Sequence, residues 1–217
     1  SPSQYRLIRS AIPLAEFIHR PGDRERIRQD LEIPAQALVV GNVGRFSTQK
    51  NPLDWIKAAS QIARQRTDVF FLMVGDGPLR PQVELALKQH GLQERTRLVG
   101  LRRDVAPWMS AMDIFLLTSL WEGLPRVIPQ AMAMQLPVAA YRTDGVEEAV
   151  VHGQSGYLCE PGKINELAEY CIRLAGDAGL RDRMGAVGLK QAELEFDLQV
   201  MIRQIENLYE ELLKIVY

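Results

Sequence analysis

TSLWEGLPRVIPQAMAM, residues 118–134, is the stretch from which the rest of the chain is read. The apolar run Asp113-Ile-Phe-Leu-Leu117 leads into it and reads as a buried strand. An Ala/Met-rich run follows and reads as a helix. Between them lie Glu122, Gly123, Leu124 and Pro125. A strand, a tight loop and a helix N-terminus in this order form the place where open α/β sheets bind ligands. Pro125 suits the first helical turn, where a missing N–H costs nothing. Pro129 donates nothing either, so the amides of Arg126, Val127 and Ile128 are expected to point out of the helix start, toward anions or hydroxyl oxygens. Glu122 hangs over the same opening. A carboxylate beside free amides suits a polyol or an anion-bearing sugar, and it suits a helix cap equally well.

Working outward, the same alternation repeats. Residues 37–43, 69–74, 97–99, 114–117, 137–141 and 156–159 are short apolar runs. Helical spacing follows each of the first five: from Pro52, over residues 79–90 with Gly91 as the stop, over 104–112 with Asp104 as a cap, after Pro125, and over 145–151. From Ile164 the pattern is helical to the end, with breaks at 176–179 and 195–197. Continuously apolar strands alternating with helices predict a parallel sheet covered on both faces, a Rossmann-like α/β fold. Residues 5–8 suggest a further short strand before a crossing segment at 13–17. The charged stretch 20–30 holds four arginines and reads as a solvated helix face, with a lipid-facing basic patch as the sharper alternative.

Composition bounds the function. At 217 residues the chain suits a single domain spanning 1–217. A net charge of −1 argues against a dedicated nucleic-acid binder. Cys159 and Cys171 have no metal-ligand spacing and no disulfide framework, which fits a reducing cytoplasm. No apolar run reaches transmembrane length. The chain opens on Ser1-Pro2 without a Met, as an excised segment would. His19, His90 and His152 show no ligand spacing and no neighbouring nucleophile, and Trp55, Trp108 and Trp121 read as core or near-core.

Arg45 and Lys50 lie just past the end of the first clear strand, in a loop. Two cations at this spacing suit a diphosphate, Arg through bidentate bonds and Lys as a compact charge; an exposed pair on a turn is the plainer reading. Gly75-Asp76-Gly77-Pro78 reads mainly as a turn whose glycines allow unusual backbone and whose Pro opens a helix.

Taken together these motifs resemble those of retaining GT-B glycosyltransferases of the group 1, or family 4, type. Glu122, Gly123, an apolar residue, Pro125 and then Gln130-Ala-Met-Ala133 are similar to that family's Glu-x7-Glu donor motif, with Gln130 in place of the second Glu. Gly44-Arg45 followed by Lys50, and the Gly-Asp-Gly-Pro turn, match in the right order. The resemblance covers about Ala11 to Leu213 and corresponds to the carboxyl-terminal half of such an enzyme, without the acceptor-binding half.

It implies a nucleotide-sugar-binding domain, a UDP-sugar domain of polysaccharide biosynthesis among the options. Arg45, Lys50 and Glu122 would carry the catalytic roles, and Gly44, Gly123, Leu124, Arg126 and Val127 would help bind the donor. Leu101 and Arg102 would meet the base, and Gln130 the ribose. No metal and no cofactor would be needed. The acceptor would be a glycan or a lipid-linked glycan, and the location cytoplasmic, with room for peripheral contact at the inner membrane face. Two other readings stay open: a non-catalytic nucleotide- or protein-binding module of flavodoxin or receiver type, and a GT-B sugar epimerase or phosphorylase.

Overall fold

The computed structural model describes residues 5–216. Six strands form one parallel sheet: β1 (Leu38–Val43), β2 (Val69–Val74), β3 (Thr96–Leu98), β4 (Ile114–Leu117), β5 (Val138–Tyr141) and β6 (Gly156–Cys159). Their order across the sheet is β3-β2-β1-β4-β5-β6. This is the doubly wound arrangement, and its direction reverses between β1 and β4. A flavodoxin- or receiver-type sheet would instead place β3 beside β1.

Successive residues of each strand face opposite sides, and both sides are covered. Val39, Leu72, Phe115, Leu117, Val138 and Leu158 face one apolar layer; Val40, Phe71, Met73, Ile114, Leu116 and Tyr141 face the other. The first layer is closed by α1 (Asp23–Asp30), α4 (Ala106–Ser110), α5 (Val127–Ala133), α6 (Asp144–Ala149) and part of α8 (Ala178–Glu195). The second is closed by α2 (Pro52–Gln65), α3 (Arg80–Gln89) and α7 (Ile164–Gly176). Burial on both faces is why the strands read as unbroken apolar runs. The last helix, α9 (Leu198–Val216), follows the break at Phe196 and Asp197.

Several expectations give way to the structure. Residues 5–8 form no strand, and Tyr5 and Leu7 are largely exposed. Ile12, a little further on, forms an isolated bridge to Asp197. It exchanges backbone hydrogen bonds with Phe196 and Leu198, each at 2.9 Å, and so ties the start of the chain to the entrance of α9. Asp104 caps nothing, because α4 begins two residues later with Val105 as its N-cap. Pro125 lies before the first helical turn: Arg126 is the N-cap of α5, and the Ile128 amide donates to the Pro125 carbonyl at 2.9 Å. Two amides, not three, are therefore left at that helix start. Trp121 is not near-core but 54% exposed.

The charged segment differs most. It forms α1, yet its inner side is not solvated. Arg28 is 4% exposed and donates to the carbonyls of Ala35, Ala37 and Ala111 and to Asp113 Oδ2 at 2.7 Å. Arg24 takes the other oxygen of Asp113 at 2.6 Å, and Arg26 pairs with Asp23. Burial lowers the Arg28 guanidinium from its ordinary value, against the pull of Asp113. Asp113 Oδ2 also accepts the Val39 amide at 2.7 Å. Arg28 and Asp113 thus hold the entrance of β1 to the entrance of β4, and Arg24 adds a second tie from α1, at the end of the sheet opposite the switch-point loops.

Candidate functional site

At the carboxyl ends of β1 and β4 the chain leaves the sheet in two loops, 44–51 and 118–126. Four hydrogen bonds to backbone carbonyls join them. Leu120 N donates to Gln49 O at 2.8 Å, and Gln49 Nε2 donates to Trp121 O at 3.0 Å. Thr118 Oγ1 donates toward the carbonyls of Lys50 (3.2 Å) and Asn51 (2.9 Å). Deeper in, Asn42 Nδ2 and Trp55 Nε1 both donate to Leu116 O, at 2.9 and 3.1 Å. Asn51 adopts a left-handed conformation (φ 46°), which Asn tolerates better than most residues, and this turns the loop into α2. Its side chain is held by Asp54, which also receives Lys57 and the Tyr141 hydroxyl. Burial pushes the Asp54 carboxyl up, but these bonds together bring it below its ordinary value.

On this frame Lys50 Nζ pairs with Glu122 Oε1. The Glu122 side chain is only 7% exposed and that of Lys50 22%. Glu122 is thus no helix cap; α5 has no side-chain cap bond at all. Next to the pair lies a cleft of about 450 Å3 lined by Val43, Gly44, Arg45, the Gly75–Gly77 turn, Leu101 and Arg102. Gly44 borders both features: a methyl group on it would touch the Lys50 side chain at 3.8 Å. Of the sequence candidates, Gly44, Arg45, Leu101 and Arg102 meet in the cleft, and Lys50 and Glu122 meet beside it. Arg102 lies over the Trp108 ring at 4.8 Å, while Leu101 is 73% exposed.

Gly123, Leu124, Arg126 and Val127 line the loop that runs from Glu122 into α5. Among the described residues the Arg126 and Val127 amides find no backbone acceptor. Gln130, in the first turn of α5, is half-buried, and its amide makes no side-chain hydrogen bond among the described residues.

Two glycines hold these loops where they are. Gly75 has φ 144° and donates to the Gly100 carbonyl at 2.9 Å; a methyl group on it would fall 1.9 Å from the Gly44 carbonyl oxygen. Gly145, at the start of α6, supports the other side: its added methyl would fall 1.1 Å from the Gly123 oxygen. The Gly-Asp-Gly-Pro pattern marks Gly75 as architecture. Gly145 carried no such signal, because its neighbour is a loop more than twenty residues upstream.

The cysteines and two of the histidines are spoken for. Cys159 and Cys171 are free and buried; burial pushes the Cys159 thiol up to about 12 and raises Cys171 as well, so neither is a ready thiolate. His19 bonds the Met134 carbonyl, and His152 Nδ1 accepts the Leu158 amide. No helix among the described residues is long and apolar enough to cross a membrane.

The family model for glycosyl transferases group 1 matches residues 23–191, well over half of the chain. The chain belongs to this family. The Vi polysaccharide biosynthesis protein VipC/TviE of Salmonella typhi is 35% identical over 132 residues, 61% of this chain and 23% of that protein. The Escherichia coli UDP-Gal:alpha-D-GlcNAc-diphosphoundecaprenol alpha-1,3-galactosyltransferase is 30% identical over 182 residues, 81% of this chain and 46% of that enzyme. Anabaena Alr3699/HepE, solved in complex with UDP-glucose, superposes with a TM-score of 0.87 at 27% identity, over 95% of this chain and 57% of its own. This group 1 chain therefore spans about half or less of the length of these relatives. Its doubly wound sheet is the Rossmann-like half that the GT-B resemblance implies. The switch-point loops just described fall within the stretch that the family model covers.

Proposed function

We propose that this domain binds a nucleoside-diphosphate sugar, a UDP-sugar first among them, for retaining transfer of a hexosyl group. The acceptor, a glycan or lipid-linked glycan, would be held by a separate amino-terminal domain. The observation that carries the reading is the placement of Lys50 and Glu122 together at the sheet's switch point, beside the cleft that holds Gly44 and Arg45. A cation and a carboxylate at one opening suit a ligand with an anionic part and a hydroxyl-rich part. The relatives support the same reading: one is solved with UDP-glucose, and one is named for a galactosyl transfer from UDP-Gal to a diphosphoundecaprenol-linked sugar. The peripheral contact with a cytoplasmic membrane face belongs to this proposal, as an attribute of the longer enzyme and its lipid-linked acceptor.

In the proposed mechanism the acceptor hydroxyl attacks the anomeric carbon from the face that the diphosphate leaves. The new carbon–oxygen bond forms as the bond to the diphosphate breaks, and the bonding pair departs with the phosphate. A phosphate oxygen takes the hydroxyl proton. Negative charge grows on the leaving group, and Arg45, Lys50 and the amides of Arg126 and Val127 would stabilise it. Fixed groups aimed at developing charge are a large source of catalysis, and here they would serve in place of a metal ion. Glu122 would orient the sugar through its hydroxyls, Leu101 and Arg102 would flank the base, and Gln130 would hold the ribose.

Calorimetric titration with UDP, ADP and GDP, with and without EDTA, tests this reading. Binding of one nucleotide that survives EDTA is expected. Failure of all three to bind, or a strict magnesium requirement, would remove the proposed donor site.

A further inference from the structure

We propose that the Lys50–Glu122 pair is a latch that couples the diphosphate to the donor sugar, so that the site holds the intact donor in preference to the nucleoside diphosphate left after transfer. The proposal rests on the donor reading above. The assigned roles compete with the observed contact: Lys50 gives less of its charge to a phosphate, and Glu122 accepts less strongly from sugar hydroxyls, while each is held by the other.

Both side chains are largely shielded from water, so their attraction exceeds that of an open surface pair. The backbone beneath them is fixed by the four hydrogen bonds between the two loops. Exchange of partners therefore needs only side-chain rotation, with the loops in place.

The consequences differ for the two ligands. A nucleoside diphosphate alone must draw Lys50 away from Glu122. It then leaves a shielded carboxylate without its cation and close to a polyanion, which is unfavourable. An intact donor draws Lys50 away in the same manner but supplies hydroxyl protons to Glu122 in return. Once the sugar has left, Glu122 competes again for Lys50, and the diphosphate loses part of its hold. A ligand shifts such an equilibrium only by the difference in its contacts with the two states, and here that difference is the sugar.

Four versions of the 217-residue chain test the latch by calorimetry with UDP and UDP-glucose: the parent, E122Q, K50M and the double variant. E122Q is expected to bind UDP about fivefold tighter than the parent, the low end of typical coupling between two ligand sites. It should also lose the parent's preference for UDP-glucose over UDP. In the K50M background the same E122Q change is expected to bring a clearly smaller gain, since only the repulsion between Glu122 and the diphosphate is left to relieve. If E122Q binds UDP no tighter than the parent, the latch is wrong. If it tightens binding equally with and without Lys50, bare repulsion by Glu122 is at work and the latch is again wrong. Should thermal melting show E122Q unfolded, E122D, which withdraws the carboxylate by one methylene, takes its place, and a smaller gain in the same direction is expected. A parent that binds no UDP, ADP or GDP overturns the donor reading and the latch together; a parent that binds without the E122Q gain overturns the latch alone.

Discussion

At the scale of single residues, the proposed donor site divides its work between charge and hydrogen bonding. Removing one preorganised stabiliser of a developing charge typically costs about 10²–10³ in rate. In the longer enzyme, Lys50→Ala is expected to lose turnover by that order and to weaken diphosphate binding. Glu122→Ala is expected to lower turnover without weakening nucleotide binding, since its proposed partner is the sugar. Steady-state kinetics beside equilibrium binding separate the two, and small, equal losses would reduce both residues to a surface pair. Gln130 is where the chain departs from the Glu of the family pattern. Its amide offers one acceptor and two donated hydrogens, enough for a ribose. Among the described residues it makes no side-chain hydrogen bond that would occupy it. Gln130→Ala is expected to weaken nucleotide binding by about 0.5–1.5 kcal/mol, the net worth of a hydrogen bond. It should also discriminate less between UDP and 2′-deoxy-UDP than the parent does. Unchanged affinities for both would take Gln130 out of the ribose site.

At the scale of elements, the site depends on loops that touch through backbone. The turn after β2 reaches the loop after β1 only because Gly75 has no side chain, and the start of α6 reaches the loop before α5 only because Gly145 has none. An added methyl in a filled space costs about 1–3 kcal/mol. Gly145→Ala is expected to lower stability by that amount and to weaken UDP-sugar binding more than UDP binding, because it displaces Gly123 beside Glu122. Denaturant melts and paired titrations check this; equal losses for both ligands would mean a general loosening. At the other end of the sheet, α1 is fastened by Arg28 to Asp113. Removing one partner of a buried pair costs about 3–5 kcal/mol. Arg28→Met is expected at the low end of that range, since Arg24 still holds Asp113, with UDP affinity retained in the fraction that stays folded. A change below ~1 kcal/mol in urea denaturation would show that α1 is fastened chiefly by its apolar contacts.

At the scale of the whole molecule, the chain spans about half or less of the length of its relatives, and the proposed mechanism assigns the acceptor to the remainder. The chain alone is therefore expected to bind a nucleoside diphosphate yet transfer no sugar. Radiolabelled UDP-sugar incubated with this chain and candidate acceptors checks it, and transfer by the chain alone would mean that the acceptor site lies within these 217 residues.

What the amino-acid sequence determined by itself is the fold and the location of the candidate site. Strands buried on both faces must be apolar along their whole length, so residues such as 69–74 and 114–117 announce themselves, and the loops that follow the strands are then known in order. The candidates in those loops could be named because their residue types and spacing are local. Pairings across the sheet are not local. That Lys50 meets Glu122, that Arg28 is buried against Asp113 and that Gly145 lies under Gly123 each join segments from over twenty to more than eighty residues apart. Only the closing of the sheet brings them together. Once it does, burial decides that a charged helix face is an anchor, that a supposed cap is half of an ion pair, and that a tryptophan expected near the core stands exposed beside the site.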